Sequence, residues 1–361
     1  MTISSLEVED FRNLKGVRIT PNPRLNLVIG PNGSGKTSLL EAIHCLGRGK
    51  SFRTHKTNRL ISEGKPSFTL VARVQQKGRS FTIGMQRKHG ESIIRLAGST
   101  ISRSSELTQA LPIALLEPGL HRLIEEGPEH RRKFLDWGVF HVEPGFHSIW
   151  ADYRRVLAQR NAALRTRGTK ATVVNWDREL VQAAIELDRV RRQYLDSLIA
   201  HVPGFSDLFP IMAGVEIQYH QGWKEGEDYA NYLQAHFDSD QERGFTQFGP
   251  HRADLRIRIR GVDAREYLSR GQQKVFVTSL VLAQCAQMLE KDTSVVLLVD
   301  DLPSELDEEK RLVLLDCLGN TGAQVFISGT DSRLFPLAQL QGNGADHSVF
   351  HVEQGRVCAV S

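Results

Sequence analysis

The chain has 361 residues, 40% of them hydrophobic and 24% charged, a balance that excludes intrinsic disorder and suits one large domain or two ordinary ones. The formal net charge of +4 argues nothing about a polyanionic partner by itself; only the placement of the basic residues can. Cys45, Cys285, Cys317 and Cys358 lie far apart, without CxxC or Cys/His ligand spacing, and the first residues, MTISSLEVEDFRNL, hold acids where a secretory leader needs an apolar run. A cytoplasmic protein without a membrane partner is the expectation.

In chain order, Ile3, Leu6 and Val8 predict a first strand and Leu25 to Ile29 a second, which runs into a glycine loop. Ser38 to Leu46 fits an amphipathic helix. Three β-rich segments follow (FTLVARV, SFTIGMQR, SIIRLAG), with Gly78, Gly90 and Gly98 in turn positions. From about Pro118 the pattern turns helical and is expected to remain so for more than 100 residues. Ile149, Tyr153, Val156, Leu157 and Leu164 form one stripe. Trp176, Leu180, Ala183, Ala184, Leu187, Val190, Tyr194 and Leu198 form another. With Arg165 to Thr172 (RTRGTKAT) as a polar connection, the two stripes predict an antiparallel helical hairpin. From about Gly244 β/α character returns: Leu255, Ile257 and Ile259 alternate with Arg256, Arg258 and Arg260, Gln272 to Glu290 reads as a helix, and Val295 to Val299 and Gln324 to Ser328 read as buried strands.

Gly30, Pro31, Asn32, Gly33, Ser34, Gly35, Lys36 and Thr37 satisfy G-x-x-x-x-G-K-[ST] between a predicted strand and a predicted helix. The glycines let backbone N–H groups wrap a phosphate, and the helix N-terminus adds a favourable dipole. Lys36 would reach the β- and γ-phosphates and Thr37 would give its hydroxyl to Mg²⁺, so ATP and Mg²⁺ are the expected cofactors. The strand VVLLVDD supplies the usual acidic partner. Asp300 would hold the metal through water, and Asp301 would orient or deprotonate the attacking water, unless the two acids merely cap a following helix.

Two further segments define a class. LSRGQQK, Leu268 to Lys274, resembles the signature of ABC-type ATPases, which implies that Ser269, Gly271 and Gln273 meet the γ-phosphate of ATP held by another subunit. Ser304, Glu305, Leu306 and Asp307 are similar to the D-loop of that superfamily, which lies at the dimer contact. The expected fold is therefore α/β: an ABC-type P-loop ATPase head assembled from both chain ends (1–118 and 245–361), with an inserted helical arm (119–244). The wide gap between Thr37 and Leu268 resembles the chromosome-maintenance and DNA-repair branch rather than transporters, although the arm is too short for a long coiled coil.

Within that branch the chain resembles the RecF family over its whole length. The resemblance rests on Asp10-Phe11-Arg12-Asn13, GPNGSGKTSLLEAI, KSFR from Lys50, GPEHRRKFLD from Gly127, QRNAAL from Gln159, GPHRADL from Gly249, LSRGQQK and DDLPSELD. It implies an ATP-dependent homodimer that binds single- and double-stranded DNA near gaps, works with RecR and RecO to load RecA, hydrolyses ATP slowly, and is linked to replication and the SOS response. Asp301, where many relatives of the wider superfamily carry glutamate, and Thr330, where transporters use histidine, both fit weak turnover. Two readings compete: a transporter-type nucleotide-binding subunit, and a scaffold in which ATP only gates DNA affinity.

Three basic patches are candidates for DNA. They are Lys50, Arg53 and Lys56 within RGKSFRTHKTNR; Arg165, Arg167 and Lys170, with Arg160, at the arm tip; and Arg256 and Arg258, with Arg260, on one strand face. No aromatic residues interleave with them in a stacking pattern, which favours phosphate contact over base readout. Arg131 and Arg132, beside Asp136 on one helix face, read either as a structural ion-pair cluster within the arm, the favoured expectation, or as a contact to the phosphate region.

Overall fold

The computed structural model describes residues 1–166, 169–202, 214–301, 306–331, 333, 335 and 347–360. The chain forms two compact units, Met1–Gly119 with Met288–Ser361, and Leu120–Gln287.

The first unit opens with β1 (Thr2–Glu9), β2 (Val17–Ile19), β3 (Leu25–Ile29) and α1 (Lys36–Arg48). The hairpins β4 (Ser67–Gln76), β5 (Arg79–Lys88), β6 (Glu91–Leu96) and β7 (Ser99–Ile101) follow, then α2 (Ser104–Ala110) and β8 (Ile113–Leu116). In the second unit α3 (Arg122–Glu125), α4 (Pro128–Val142), α5 (Phe146–Arg165), α6 (Lys170–Val174) and α7 (Asp177–His201) lead to β9 (Val215–His220), α8 (Tyr229–Ala235) and α9 (Phe237–Arg243). β10 (Asp254–Ile259), β11 (Val262–Asp263), α10 (Ala264–Tyr267) and α11 (Arg270–Glu290), the last running three residues past the unit's end at Gln287, follow. The chain then returns to the first unit with β12 (Val296–Val299), α12 (Glu308–Asn320), β13 (Gln324–Gly329), β14 (His347–Glu353) and β15 (Arg356–Val360).

Among the described residues the first unit holds two sheets. One is antiparallel, in the order β2-β1-β4-β5-β6-β7; the other, β15-β14-β3-β13-β12-β8, is parallel except for its β15 edge. β3 and β12 are buried along their whole length, which explains the unbroken aliphatic sequence of β12; in β3 the one polar residue, Asn26, is satisfied by hydrogen bonds to Asn22 and the Val325 carbonyl. β4 instead alternates, with Phe68, Leu70, Ala72 and Val74 turned inward. Leu39, Leu40, Ala42, Ile43, Cys45 and Leu46 of α1 join inward residues of both sheets in one core, so this helix is buried on nearly every side. Gln324 ties the sheets together: its Oε1 accepts from the Ile3 N–H at 2.7 Å, and its Nε2 donates to the carbonyls of Ile3 at 2.9 Å and Asn22 at 2.8 Å.

In the second unit α5 and α7 pack as the expected hairpin, with Tyr153, Val156 and Leu164 buried on one helix and Leu180, Leu187, Tyr194 and Leu198 on the other. Several expectations need correction. The helical stretch is interrupted by β9, which pairs with β10. That pairing satisfies the backbone of β10 inside the second unit, so this unit runs to Gln287 rather than ending near 244. The connection RTRGTKAT contains the start of α6, whose cap is Thr169: its Oγ1 accepts from the Thr172 N–H at 3.3 Å. β2, β7, β8, β11, β14 and β15 are further strands beyond the expected set. An apolar run as short as that of β8 cannot be told from helix by periodicity.

Two basic features of the arm prove structural. Arg160 is fully buried: Nε donates to Asp177 Oδ1 at 2.7 Å, and Nη1 donates to Asp240 Oδ2 at 2.7 Å and Thr246 Oγ1 at 2.8 Å. It therefore leaves the arm-tip patch. Arg131 and Arg132 are structural as expected, but not through Asp136. Arg131 makes a two-pronged pair with Asp254 at 2.7 and 3.1 Å, and Arg132 donates to the Ala253 carbonyl at 2.7 Å. Asp136 instead receives Arg191 at 2.8 and 2.9 Å, so the cluster joins α4 to α7 and to the start of β10.

Each unit also holds a histidine kept neutral, His44 buried and His251 half-buried. His251 Nε2 donates to the Thr246 carbonyl at 2.9 Å, which leaves Nδ1 to accept from Tyr153 Oη at 2.6 Å. Burial is the main cause that lowers the pKa of His251 to about 4 and that of His44 to about 3. In the unfolded chain both would titrate near 6.5, so below that pH the unfolded state binds more protons and stability falls as pH falls. We expect a loss on the order of 1 kcal/mol per pH unit per histidine between about pH 6.5 and 4. Urea midpoints measured at pH 7, 6 and 5 check this; a midpoint that rises on acidification contradicts it.

Candidate nucleotide-binding site

β3 delivers the chain to the loop at Gly30, and α1 begins at Lys36. The loop is built from glycines for local reasons. Gly35 has φ 123°, and a Cβ on Gly30 would lie 2.1 Å from the Val352 carbonyl oxygen. The Lys36 ammonium folds over the loop and donates to the carbonyls of Gly30 at 2.7 Å and Pro31 at 3.0 Å. Burial lowers its pKa, while Asp301 and Asp300 pull it back up. Beside it Thr37 Oγ1 donates to Asp300 Oδ1 at 3.0 Å.

The acids stand at the carboxyl end of β12, next to β13 in the parallel sheet. Asp300 is buried, and burial raises its pKa against the hydrogen bonds that stabilise its charge. One of those bonds comes from Ser328 Oγ at 2.8 Å; the same hydroxyl accepts from the Asp301 N–H at 2.9 Å. Asp301 adopts the left-handed conformation, φ 51°, and lines the cavity over the loop. That conformation is uncommon for a residue with a side chain and marks a position held for geometry rather than for propensity. Ser328 is not legible in the sequence, since a serine inside an apolar strand carries no motif.

The cavity measures about 540 Å³ and is lined by the loop, Thr37, Asp301, Arg12, Asn13, Arg53 and Arg59. Asn13 Nδ2 donates to the Gly33 carbonyl at 3.2 Å, and its Oδ1 accepts from Ser38 Oγ at 2.8 Å, bracing the loop from β1's far end. Arg12 pairs with the buried Glu41 through two bonds of 2.9 and 2.7 Å, and Ser51 also donates to Glu41. Asp10-Phe11-Arg12-Asn13 and KSFR thus meet at α1, a proximity that their sequence separation hides.

The other expected residues fall as follows. Ser269, Arg270, Gly271 and Gln272 are exposed at the start of α11, in the second unit. Ser269 and Gln272 form a reciprocal cap: the Ser269 N–H donates to Gln272 Oε1 at 2.9 Å, and the Gln272 N–H to Ser269 Oγ at 3.4 Å. A Cβ on Gly271 would meet nothing within 4 Å, and its φ is not left-handed, so the fold itself does not demand glycine there. Gln273 is buried and donates to the Leu268 carbonyl at 3.2 Å, a structural position. Asp307 caps α12, accepting from the Lys310 N–H at 2.9 Å, while Ser304 and Glu305 lie outside the described residues. Thr330 directly follows β13.

Of the basic candidates, Arg53 and its neighbour Arg59 line the nucleotide cavity, whereas Lys50 and Lys56 are exposed. Arg165 and Lys170 are exposed at the arm tip, and Arg167 lies outside the described residues. Arg256 and Arg258 share the exposed face of β10, but Arg258 is paired in register with Glu216 and Asp263, which makes that face mixed in charge.

A phosphate loop, a buried parallel strand ending in two acids, and an exposed signature-type helix start define a P-loop ATPase head of the ABC/SMC type. The family described as RecF/RecN/SMC N terminal domain matches residues 2–354. Over the whole of both chains, this one is 39% identical to the DNA replication and repair protein RecF of Shewanella piezotolerans (strain WP3 / JCM 13877). It is 40% identical to that of Shewanella baltica (strain OS223), again over both chains. A solved structure of the recombination mediator protein RecF-ATP in the RecFOR pathway aligns with TM-score 0.85 and 26% identity, covering 100% of this chain and 98% of that one. An Smc head bound to the C-winged helix domain of ScpA aligns with TM-score 0.61 at 16% identity, covering 100% and 98%, and shows the fold alone. The chain belongs to the RecF family.

Proposed function

We propose that this protein acts in DNA replication and recombinational repair as a nucleotide-gated switch, in which bound ATP joins two copies around DNA. The observation that carries the reading is the pairing of a complete phosphate loop and acid set with a signature, Ser269 and Gly271, left exposed at the start of a long helix. The names of the relatives support ATP and repair as the setting.

In this reading the loop N–H groups and Lys36 hold the triphosphate, and Asn13 keeps the loop in shape. Thr37 Oγ1 and Asp300 Oδ1, adjacent hard oxygen donors beside the phosphate loop, fit Mg²⁺, which would neutralise phosphate charge when bound. Asp301 takes the proton of the attacking water or orients it. Ser269 and Gly271 of a second copy close the site over the γ-phosphate. Turnover is slow because a carboxylate one methylene shorter than glutamate stands at the water position and Thr330 stands where transporters use histidine. DNA, single- or double-stranded and near gaps, would lie on the exposed Lys50, Lys56, Arg165 and Lys170 before Arg256 and Arg258, whose face is partly neutralised. RecR, RecO and RecA are the partners that family membership suggests.

Sedimentation with and without ATP and gapped DNA tests the central claim, with a shift to dimer only when ATP is present as the expected result. A protein that stays monomeric well above its nucleotide Kd, with DNA present, overturns it. For the DNA surface, replacing Lys50 and Lys56 by alanine is expected to lower the slope of log affinity against log salt by roughly 0.7–0.9 for each phosphate no longer neutralised. An unchanged slope removes that segment from the interface.

A further inference from the structure

The motif GPHRADL, which the nucleotide site does not use, helps form a second cavity of about 660 Å³ within the second unit. Its walls are rings: Trp223, Tyr232, Phe245 and Phe248. The rings are held in place. The Tyr232 and His236 rings lie with centroids 4.3 Å apart, and Phe248 meets Tyr232 edge-on at 5.0 Å. Tyr229 Oη donates to the Phe248 carbonyl at 2.9 Å, and the Gly249 N–H donates to the Gly222 carbonyl at 3.0 Å. A Cβ on Gly222, which has φ 98°, would lie 2.1 Å from the Gly249 oxygen, so this close backbone crossing requires glycine.

Among the described residues no acid lines the cavity; its charged groups are Lys224, Arg243 and Arg252. Lys224 is neutralised by Glu227 at 2.5 Å, but Arg243 and Arg252 are in no ion pair among the described residues. The Arg252 guanidinium lies 5.8 Å from the centroid of Phe245. The basic arm tip adjoins the same helix, α9: Arg165 Cγ is 3.4 Å from where a Cβ on Gly244 would stand, and Lys170 Nζ sits 5.2 Å over the Phe237 ring.

Flat apolar walls under a cationic rim suit a ligand that is flat, aromatic and anionic at once. A bare phosphate makes no use of four rings, and an apolar side chain makes no use of two uncompensated guanidiniums. We propose that this cavity takes an unpaired nucleotide of single-stranded DNA, its base against Phe245 and Phe248 and its flanking phosphates on Arg252, Arg243 and Arg165. The proposal deepens the DNA reading above and rests on it. Bases inside a duplex are stacked on both faces and cannot enter. Basic and aromatic residues alternate along this segment (Arg243, Phe245, Phe248, Arg252), and folding brings them to one cavity, as single-strand sites require.

The test uses the full chain with three probes: dye-labelled oligothymidylate, a blunt duplex, and free thymidine monophosphate as competitor. Phe245→Ala is expected to weaken oligothymidylate binding roughly tenfold, the scale of one stacked base, with duplex binding unchanged within about twofold. Arg252→Gln, a change at an exposed rim, is expected to lower the single-strand salt slope by about 0.7. Photo-crosslinking with 5-iododeoxyuridine is expected to mark Tyr232, Phe245 or Phe248. Wild-type single-strand affinity and crosslinks indifferent to both variants overturn the proposal while leaving the DNA reading standing. Competition by the monophosphate as effective as that by the oligonucleotide assigns the cavity to free nucleotide and overturns it as well. A wild-type protein that binds none of the DNA probes removes the DNA reading and this inference with it.

Discussion

Lys36→Ala is expected to weaken ATP binding by about 10- to 100-fold, the scale of one or two hydrogen bonds to a charged group, and to abolish ATP-dependent self-association. The side chain grips its own loop through Gly30 and Pro31 and feels the charge of Asp301 and Asp300, so its removal takes away the one cation built into the loop itself. Asp301→Asn is expected to behave in the opposite way. The amide keeps size and shape but cannot accept a proton, so nucleotide affinity should hold within about threefold, hydrolysis should fall by roughly 10² or more, and the ATP-bound dimer should persist. Fluorescent-nucleotide titration and sedimentation velocity read both variants. An Asp301→Asn protein that binds ATP yet stays monomeric refutes a site shared between copies.

Arg160→Met is the substitution with the largest expected cost to stability, about 3–5 kcal/mol. Methionine fills much of the same volume but leaves Asp177 and Asp240 facing each other without a cation, both largely buried. For a unit of this size the melting temperature should drop on the order of 10 °C. Adding Asp177→Asn and Asp240→Asn should recover part of the loss, because the uncompensated charges disappear. A single variant that melts within about 2 °C of the wild type shows that the triad is not what secures α9 and the following loop against α5.

Arg160 also shows where sequence reading stops. As one of several arginines near a polar connection it looks like surface, and only the long-range approach of Asp177 and Asp240 makes it core. The nucleotide loop is legible because all its chemistry is local: eight consecutive residues, a strand before them, a helix after. The acid strand is legible for the same reason. Ser328, Asn13 and the Arg12–Glu41–Ser51 group are not, since each acts on the loop or the acids across the fold and no spacing announces it. The limit of the arm is hidden because β10 carries a strand pattern that does not say which sheet it joins; its partner β9 settles that. Gln273 reads with its neighbours in LSRGQQK, yet its side chain turns inward while Ser269 and Gly271 stay at the surface, a distinction of helix phase.

The place of β3 in its sheet has a consequence for synthesis. Both of its neighbours, β13 and β14, are made only near the end of translation, after the entire second unit. Until then the nascent strand that carries the phosphate loop leaves the ribosome with its two hydrogen-bonding edges uncovered, the condition in which strands recruit the wrong partner. The intervening unit is synthesised in full before either partner of β3, so the sheet around the phosphate loop can be completed only after it.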